Sequence, residues 1–270
     1  PPSPWMHPND KRLPSFAPLQ VWLRLNRQTN STLYLANLKG SQVHSRDLHV
    51  LGKLLNGQNL LKKFREVVIY PGETKGGFKY SVQYKGVRTD YGLGGVHGAK
   101  TSRVYESNVD MIIMTSDVTS FYPNLAIKNG FHPEHLPKEE FGQLYEWFFE
   151  ERKKIPKTDP KNYVYKIILN STYGLTGDEN SFLYDPRMTM QITINGQLLL
   201  SKLYEMLTLA IPEGIPLMQN TDGLELMIPE SRVDDYLKVC SEWEKITQLA
   251  LEHDQYSKMV IRDVNNYMAI

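Results

Sequence analysis

The chain contains one cysteine, Cys240, so no intramolecular disulfide can form and the usage fits a reducing compartment. Cys240 falls inside a helical pattern, where a thiol acts as a small packing group. No CxxC or HExxH occurs, which removes the commonest zinc frameworks. No apolar run can span a bilayer: Leu198 to Leu200 is interrupted by Ser201, Lys202 and Glu205. The opening PPSPWMHP has neither the charged start nor the apolar core of a secretory signal. Net charge is only +1 at pH 7, so no global field marks a polyanionic partner, although a neutral total can conceal a basic channel. The expectation is a cytoplasmic protein (host cytoplasm for a viral one) with no membrane partner.

At 270 residues the chain is long enough to bury a sizeable core. Residues 1–100 carry weak patterns and read as a mixed α/β region. Proline is dense near the start, Leu51 to Leu61 has helical spacing, and Phe78 to Gly86 alternates like a strand. Beyond them the signals sharpen. Met111 to Ser116 is a short apolar run suited to a buried strand. Pro137 to Ile155 places Phe141, Leu144, Tyr145 and Phe148 at helical spacing, with Glu139 and Glu140 in the first turn and Arg152, Lys153 and Lys154 in the last. Pro156 and Pro160 break the chain before a second helix, Lys161 to about Tyr173, giving an antiparallel pair. A helix from about Met190 to Ala210 and a strand from Ile215 to Gln219 follow. The turn Asn220-Thr221-Asp222-Gly223 leads into a return strand, Leu224 to Ile228, Asp-Gly being a hairpin signal. Ser231 opens a helix to about His253, and Met259 to Ile270 reads as a final strand.

With the helical pair set aside as an insertion, the order is strand, helix, strand, strand, helix, strand. That predicts an α+β fold of the ferredoxin-like βαββαβ type. Its first and third strands are adjacent and antiparallel, so Asp117, ending the first, meets Asp222, opening the third. Two carboxylates at one sheet edge repel unless a cation joins them, and Mg2+ binds through one or two carboxylates plus substrate phosphates. Either aspartate alone reads more simply as a turn residue; their convergence favours a site. Lys166, Asn170 and Tyr173 share one helix face, with Arg152 across the pair. A solvated cationic face with a packed tyrosine is the plain alternative; a triphosphate seat beneath a base is the functional one. From Glu150 to Asn170 basic residues outnumber acidic ones, so the insertion is locally basic.

Three segments carry a resemblance: DVTSFYP from Asp117, KIILNSTYG from Lys166 and NTDG from Asn220. In that order they resemble motifs A, B and C of family B DNA polymerases, usually DxxSLYP, KxxxNSxYG and DTDS, with phage and plasmid members nearest in form. The resemblance runs from about residue 90 to the end. It implies a palm with inserted fingers: residues 1–100 precede the palm, 101–130 are its first part, 131–176 the fingers and 177–270 its second part. It implies a DNA-directed DNA polymerase, a nucleotidyltransferase that adds dNTPs to a primer on a DNA template with two Mg2+ ions, Mn2+ being able to substitute. By position, Asp117 and Asp222 would hold the metals with the Val118 carbonyl. Ser120 and Phe121 amides would cradle the triphosphate, and Tyr122 would be the steric gate against a 2′-hydroxyl. Lys166 and Arg152 would clamp phosphates with support from Asn170. Tyr173 and Gly174 would line the nascent base pair. Tyr267, in NNY, resembles the tyrosine of the KxY motif at the primer end. Gly94 and Gly95, in YGLGGVHG, resemble a template-contacting stretch, and Thr221 joins this DNA-binding set.

Some positions depart from the pattern. Asn220 replaces the first motif C aspartate, Gly223 replaces serine, and Asn265 replaces the KxY lysine. No DxE occurs in residues 1–100, so no proofreading site is visible. A thumb, an exonuclease domain or replication proteins are further implied partners. Three rivals remain. GGVHGAKTS suggests a P-loop, but Ala99 stands where Walker A needs glycine. A non-catalytic nucleic-acid-binding palm would not need the two aspartates. A two-metal nuclease shares them, but Tyr122 and the Lys166 face favour nucleotide addition.

Overall fold

The computed structural model describes residues 80–92 and 94–270; the expected helix at Leu51 to Leu61 and the start of the strand at Phe78 lie outside them. The fold is mixed α+β. Met111–Val118 (β5) is a central strand because MIIMTSDV offers apolar groups to both faces of a sheet. It pairs antiparallel with Gly223–Pro229 (β7) on one side and Leu251–Tyr256 (β8) on the other. β7 turns back on Ile215–Asn220 (β6), which pairs with Val96–Ala99 (β3). Val87–Tyr91 (β2) and Tyr80–Tyr84 (β1) extend the same sheet. The order is β1-β2-β3-β6-β7-β5-β8, every described pairing being antiparallel. A second, three-stranded sheet joins Arg103–Glu106 (β4), Lys258–Asp263 (β9) and Asn266–Ala269 (β10).

Five α-helices occur among the described residues. Phe121–Asn129 (α1) follows β5 and ends at Gly130, whose φ of 62° lets Phe131 donate back to the Ala126 carbonyl at 2.9 Å. Lys138–Lys153 (α2) and Pro160–Leu175 (α3) form the expected antiparallel pair, the Tyr145 hydroxyl donating to the Leu169 carbonyl at 2.8 Å. Asp159 caps α3 by accepting from Lys161 N–H, with Pro160 in the first turn. Pro186–Ala210 (α4) is buried along most of its length, and Val233–Thr247 (α5) lies against it, the Trp243 indole donating to the Leu199 carbonyl at 3.0 Å. None of the described helices is long and apolar enough to cross a membrane.

The sheet's two faces do different work. Met114, Leu224, Leu226 and Ile228 join Leu199, Leu203, Tyr236 and Trp243 in the main core, the face covered by α4 and α5. Ile113, Met218 and Met227 belong to a smaller cluster with Met259 and Ile261 of β9. Register puts Asp117 and Thr115 on that second face, alternating with inward Ser116, which meets the Tyr236 hydroxyl at 2.6 Å and His253 Nδ1 at 2.7 Å.

Four expectations need correction. The final strand beside β5 is β8, not Met259 to Ile270, which instead folds as β9 and β10. The preceding helix stops at Thr247 because Gln248 turns left-handed at φ 60° and Leu251 N–H bonds the Glu244 carboxylate at 2.7 Å. The expected helix to about His253 takes in the first half of LEHDQY, but an edge strand needs only one packed side. α4 starts at Pro186, before Met190, since Asp185 caps Met188 N–H at 3.0 Å. And α1 escaped notice because its nine residues, FYPNLAIKN, include a proline and have little amphipathic pattern.

Candidate active site

Strand pairing brings the two aspartates together. Asp117 lies opposite Gly223 in the β5–β7 register, one residue from Asp222. The β6–β7 hairpin is closed by Thr221 and Asp222; Gly223 is already in the strand, so the loop is Thr-Asp rather than Asp-Gly. Thr221 bears the strained φ of 54° and is held by its N–H bond to the Val96 carbonyl at 2.9 Å. Asp222 is tied to β5 directly, its carbonyl accepting from Val118 N–H at 2.8 Å. Glycine at 223 lets the Asp117 carboxylate lie close: a Cβ there would overlap it as it stands, so a larger residue shifts that side chain.

Charge repulsion is visible at the pair. Burial raises the Asp117 pKa, the Asp222 charge adds to it, Glu252 and Asp254 push the same way, and a Thr115 hydroxyl bond at 3.3 Å opposes. Burial also raises Asp222, against its own backbone N–H and Lys166. A third carboxylate, Glu225, stands opposite Thr115 on the Asp117 face, and its Oε2 finds no hydrogen-bond partner among the described residues. Burial, then Asp117 and Asp222, push it up to about 8.

The cationic side is built by the helical pair. Ser120 has φ 46° and caps α1 with no side-chain bond of its own, leaving its hydroxyl to accept from Arg152 Nη1 at 2.8 Å. Arg152 Nε donates to Asn162 Oδ1 at 3.2 Å, while Asn162 Nδ2 donates to the carbonyls of Ile155 at 2.7 Å and Arg152 at 3.2 Å. Asn162 therefore ties the end of α2 to the start of α3 and fixes the guanidinium. Between the two sides stand the rings of Tyr122 and Tyr173, centroids 4.6 Å apart and tilted by 53°. Burial raises both phenols, Tyr173 to about 12. The Tyr122 hydroxyl donates to the Gly94 carbonyl at 3.3 Å.

These groups enclose a cavity of about 750 Å³. Asp117, Val118, Ser120, Phe121, Tyr122, Arg152, Lys166, Asn170, Tyr173, Gly174, Thr221 and Asp222 all line it. Gly94, Gly95 and Tyr267 do not. Gly95 lies against Thr221, where a Cβ would stand 3.1 Å from Oγ1. Tyr267 is on β10; burial raises its phenol, as do the charges of Glu225, Asp117 and Asp222, so the acidic face lies within its electrostatic reach. Sequence reasoning missed Asn162, Lys157, Glu252 and Glu225. Asn162 precedes Lys166 by four and Asn170 by eight, so the stripe of α3 already pointed to it. Glu252 required knowing that β8 is a strand, since it pairs with Asp117.

Among the described residues no group of three or more His, Cys, Asp or Glu has the arrangement to hold a metal ion by itself. Asp117, Asp222 and the Val118 carbonyl are all hard oxygen donors. That set fits a hydrated Mg2+ that completes its shell with water and substrate phosphate, and fits poorly with softer metals. The repulsion around Asp117 and Asp222 is what a divalent cation would relieve.

A family model, DNA polymerase family B, matches residues 149–223. The match covers the end of α2, all of α3 and α4, and the Thr221–Asp222 hairpin, but not Asp117. Residues 149–223 are thus a region similar to family B DNA polymerases. No curated protein matches the chain.

Proposed function

We propose that this chain is the core of a template-directed DNA polymerase, extending a primer 3′-hydroxyl with dNTPs and releasing pyrophosphate. One observation carries the reading: Asp117, near the end of β5, and Asp222, in the β6–β7 turn, share a cavity with the Lys166–Asn170–Tyr173 stripe of α3. Supporting it, the segment β6-β7-β5-β8 of the sheet, backed by α4 and α5, has the strand order of a split βαβ unit. Residues 101–130 and 177–270 are then the palm, and α2 and α3, within 131–176, the fingers. The family match supports the α3 and hairpin portions directly.

In this reading Asp117, Asp222 and the Val118 carbonyl would hold Mg2+, which when bound neutralises phosphate charge and activates the attacking oxygen. Lys166 and Arg152 grip the triphosphate from the helical pair, with Asn170 alongside. Ser120 and Phe121, at the start of α1, line the same cavity, and their amides would complete the anion seat. The Tyr122 ring, held by Tyr173 and the Gly94 carbonyl, would support the sugar and act as the steric gate against a 2′-hydroxyl. Tyr173 and Gly174 border the new base pair. Gly94, Gly95, Thr221 and Tyr267 lie along the template and primer. The protein's part is positioning and charge neutralisation. Cytoplasmic action with a thumb, an exonuclease domain or replication proteins completes the proposal.

Primer extension on a defined template, with all four dNTPs and with each dNTP alone, tests it. Extension dictated by the template is expected. Binding without extension, or degradation of the primer, would replace the reading with a passive binder or a nuclease.

A further inference from the structure

The connector between α2 and α3 carries a lysine that the motif reading leaves out. Lys157 Nζ lies 3.2 and 3.3 Å from the two carboxylate oxygens of Glu252, 95 residues away in sequence. Both residues line the cavity. Glu252 is also the cross-strand partner of Asp117, so its side chain leaves the sheet on the Asp117 face. Its charge acts in two directions: it raises the Asp117 carboxyl and it opposes the burial that lowers Arg152. One carboxylate thus stands between the acidic and the cationic sides of the site.

Position explains what such a pair can do. Lys157 is 80% exposed at its side chain and Glu252 55%, so their attraction is weak and easily exchanged. Lys157 shares the cavity with Arg152 and Lys166, the two cations assigned to phosphates. A polyphosphate carries several charges where Glu252 offers one, and outcompetes it for the ammonium. When Lys157 turns to phosphate, Glu252 is left as an unpaired anion beside Asp117, adding negative charge where a divalent cation is needed.

We propose that Lys157 is a phosphate-binding residue of this site and that Glu252 is its resident counter-anion, displaced when a nucleotide's phosphates arrive. The inference rests on the nucleotide-binding reading above and assigns that site two residues it did not have. Glu252 holds the α2–α3 connector against the sheet while the site is empty. Phosphate takes over the same lysine, so the connector stays tethered through the ligand.

Calorimetric titration with inorganic tripolyphosphate, in EDTA to remove cations, isolates this exchange. Glu252→Gln is expected to tighten binding by roughly 3–10-fold and Lys157→Met to weaken it by a similar factor. The double variant decides the matter. In the Lys157→Met background the gain from Glu252→Gln should shrink to little or nothing. An equal gain in both backgrounds would mean that Glu252 merely repels phosphate, and the exchange would be overturned while the nucleotide site stood. No tripolyphosphate binding by the unsubstituted protein would overturn both. Unchanged thermal unfolding in each variant confirms that the differences come from the site, since both side chains are largely in water.

Discussion

The α2–α3 pair and the sheet with α4 and α5 are made to different specifications. α2 buries only Tyr145 and Phe149, and α3 only Asn162 and Leu169. Leu144, Trp147, Tyr163, Val164 and Ile167 stay exposed on the same pair. On α4, by contrast, Ile192, Leu199, Leu200, Leu203 and Leu207 are fully buried, and β5 and β7 are closed in on both faces. The carboxylates stand on the second region and most of the cations on the first. The two aspartates are themselves exposed, but the backbone that carries them belongs to the most densely packed elements. The cations are set on a thin layer, tied to the rest by polar contacts such as Arg152 to Ser120 and Lys157 to Glu252. Regions with few buried contacts open at low cost, so motion should concentrate in the helical pair.

The sharpest break between the regions should come from Asp222→Asn. Primer extension is expected to fall by about 10³-fold or more, with thermal stability unchanged or raised as a repelling charge is removed. Near-normal extension would take Asp222 out of the chemistry. Next in size is a pair of tryptophans. Trp243→Ala, in the core, should destabilise by about 3–5 kcal/mol in denaturant titration, whereas Trp147→Ala, half-exposed on α2, should cost about 1 kcal/mol or less. Similar losses would erase the contrast drawn above.

Glu225 offers a smaller effect with a defined sign. Its folded pKa of about 8 lies above the ordinary 4.5, so folding takes up a proton between those values. The stability it contributes is full below about pH 4.5 and is lost as pH rises through 8. In metal-free protein, unfolding free energy should decline between pH 5 and 8 by about 3–4 kcal/mol more than in Glu225→Gln. Parallel profiles would show that the buried carboxyl is not strained. Smallest is Asn162→Ala, which should cost about 1–2 kcal/mol through the lost carbonyl and guanidinium bonds. It should also raise the KM for dNTP several-fold with little change in kcat; an unchanged KM would leave Asn162 a purely structural tie.

Residue order alone disclosed which side chains converge on the cavity better than it disclosed the sheet beneath them. Asp117, Asp222, Lys166, Asn170 and Tyr173 were legible because helix period and strand order fix which side chains share a face. The helical pair was legible because prolines, caps and end charges mark its boundaries. β8 was not: its pairing with β5 is a tertiary fact, and LEHDQY has no apolar alternation to announce an edge strand. Glu225 was hidden for the opposite reason, sitting in the apolar run GLELMIP where burial of a carboxylate runs against composition. Lys157 and Glu252 meet only because the connector folds over the sheet, which no local spacing encodes.

Gly223 sets a limit on how this chain can vary. Because Asp117 occupies the volume a Cβ would need, the reach of that acid is written into the backbone of the neighbouring strand rather than into the acid itself. A single added methyl would force the carboxylate to swing aside while leaving both aspartates in the sequence. Such a chain would keep every recognisable motif acid and still have a misaligned centre. In this chain the presence of both acids is therefore not a sufficient guide to how they are arranged.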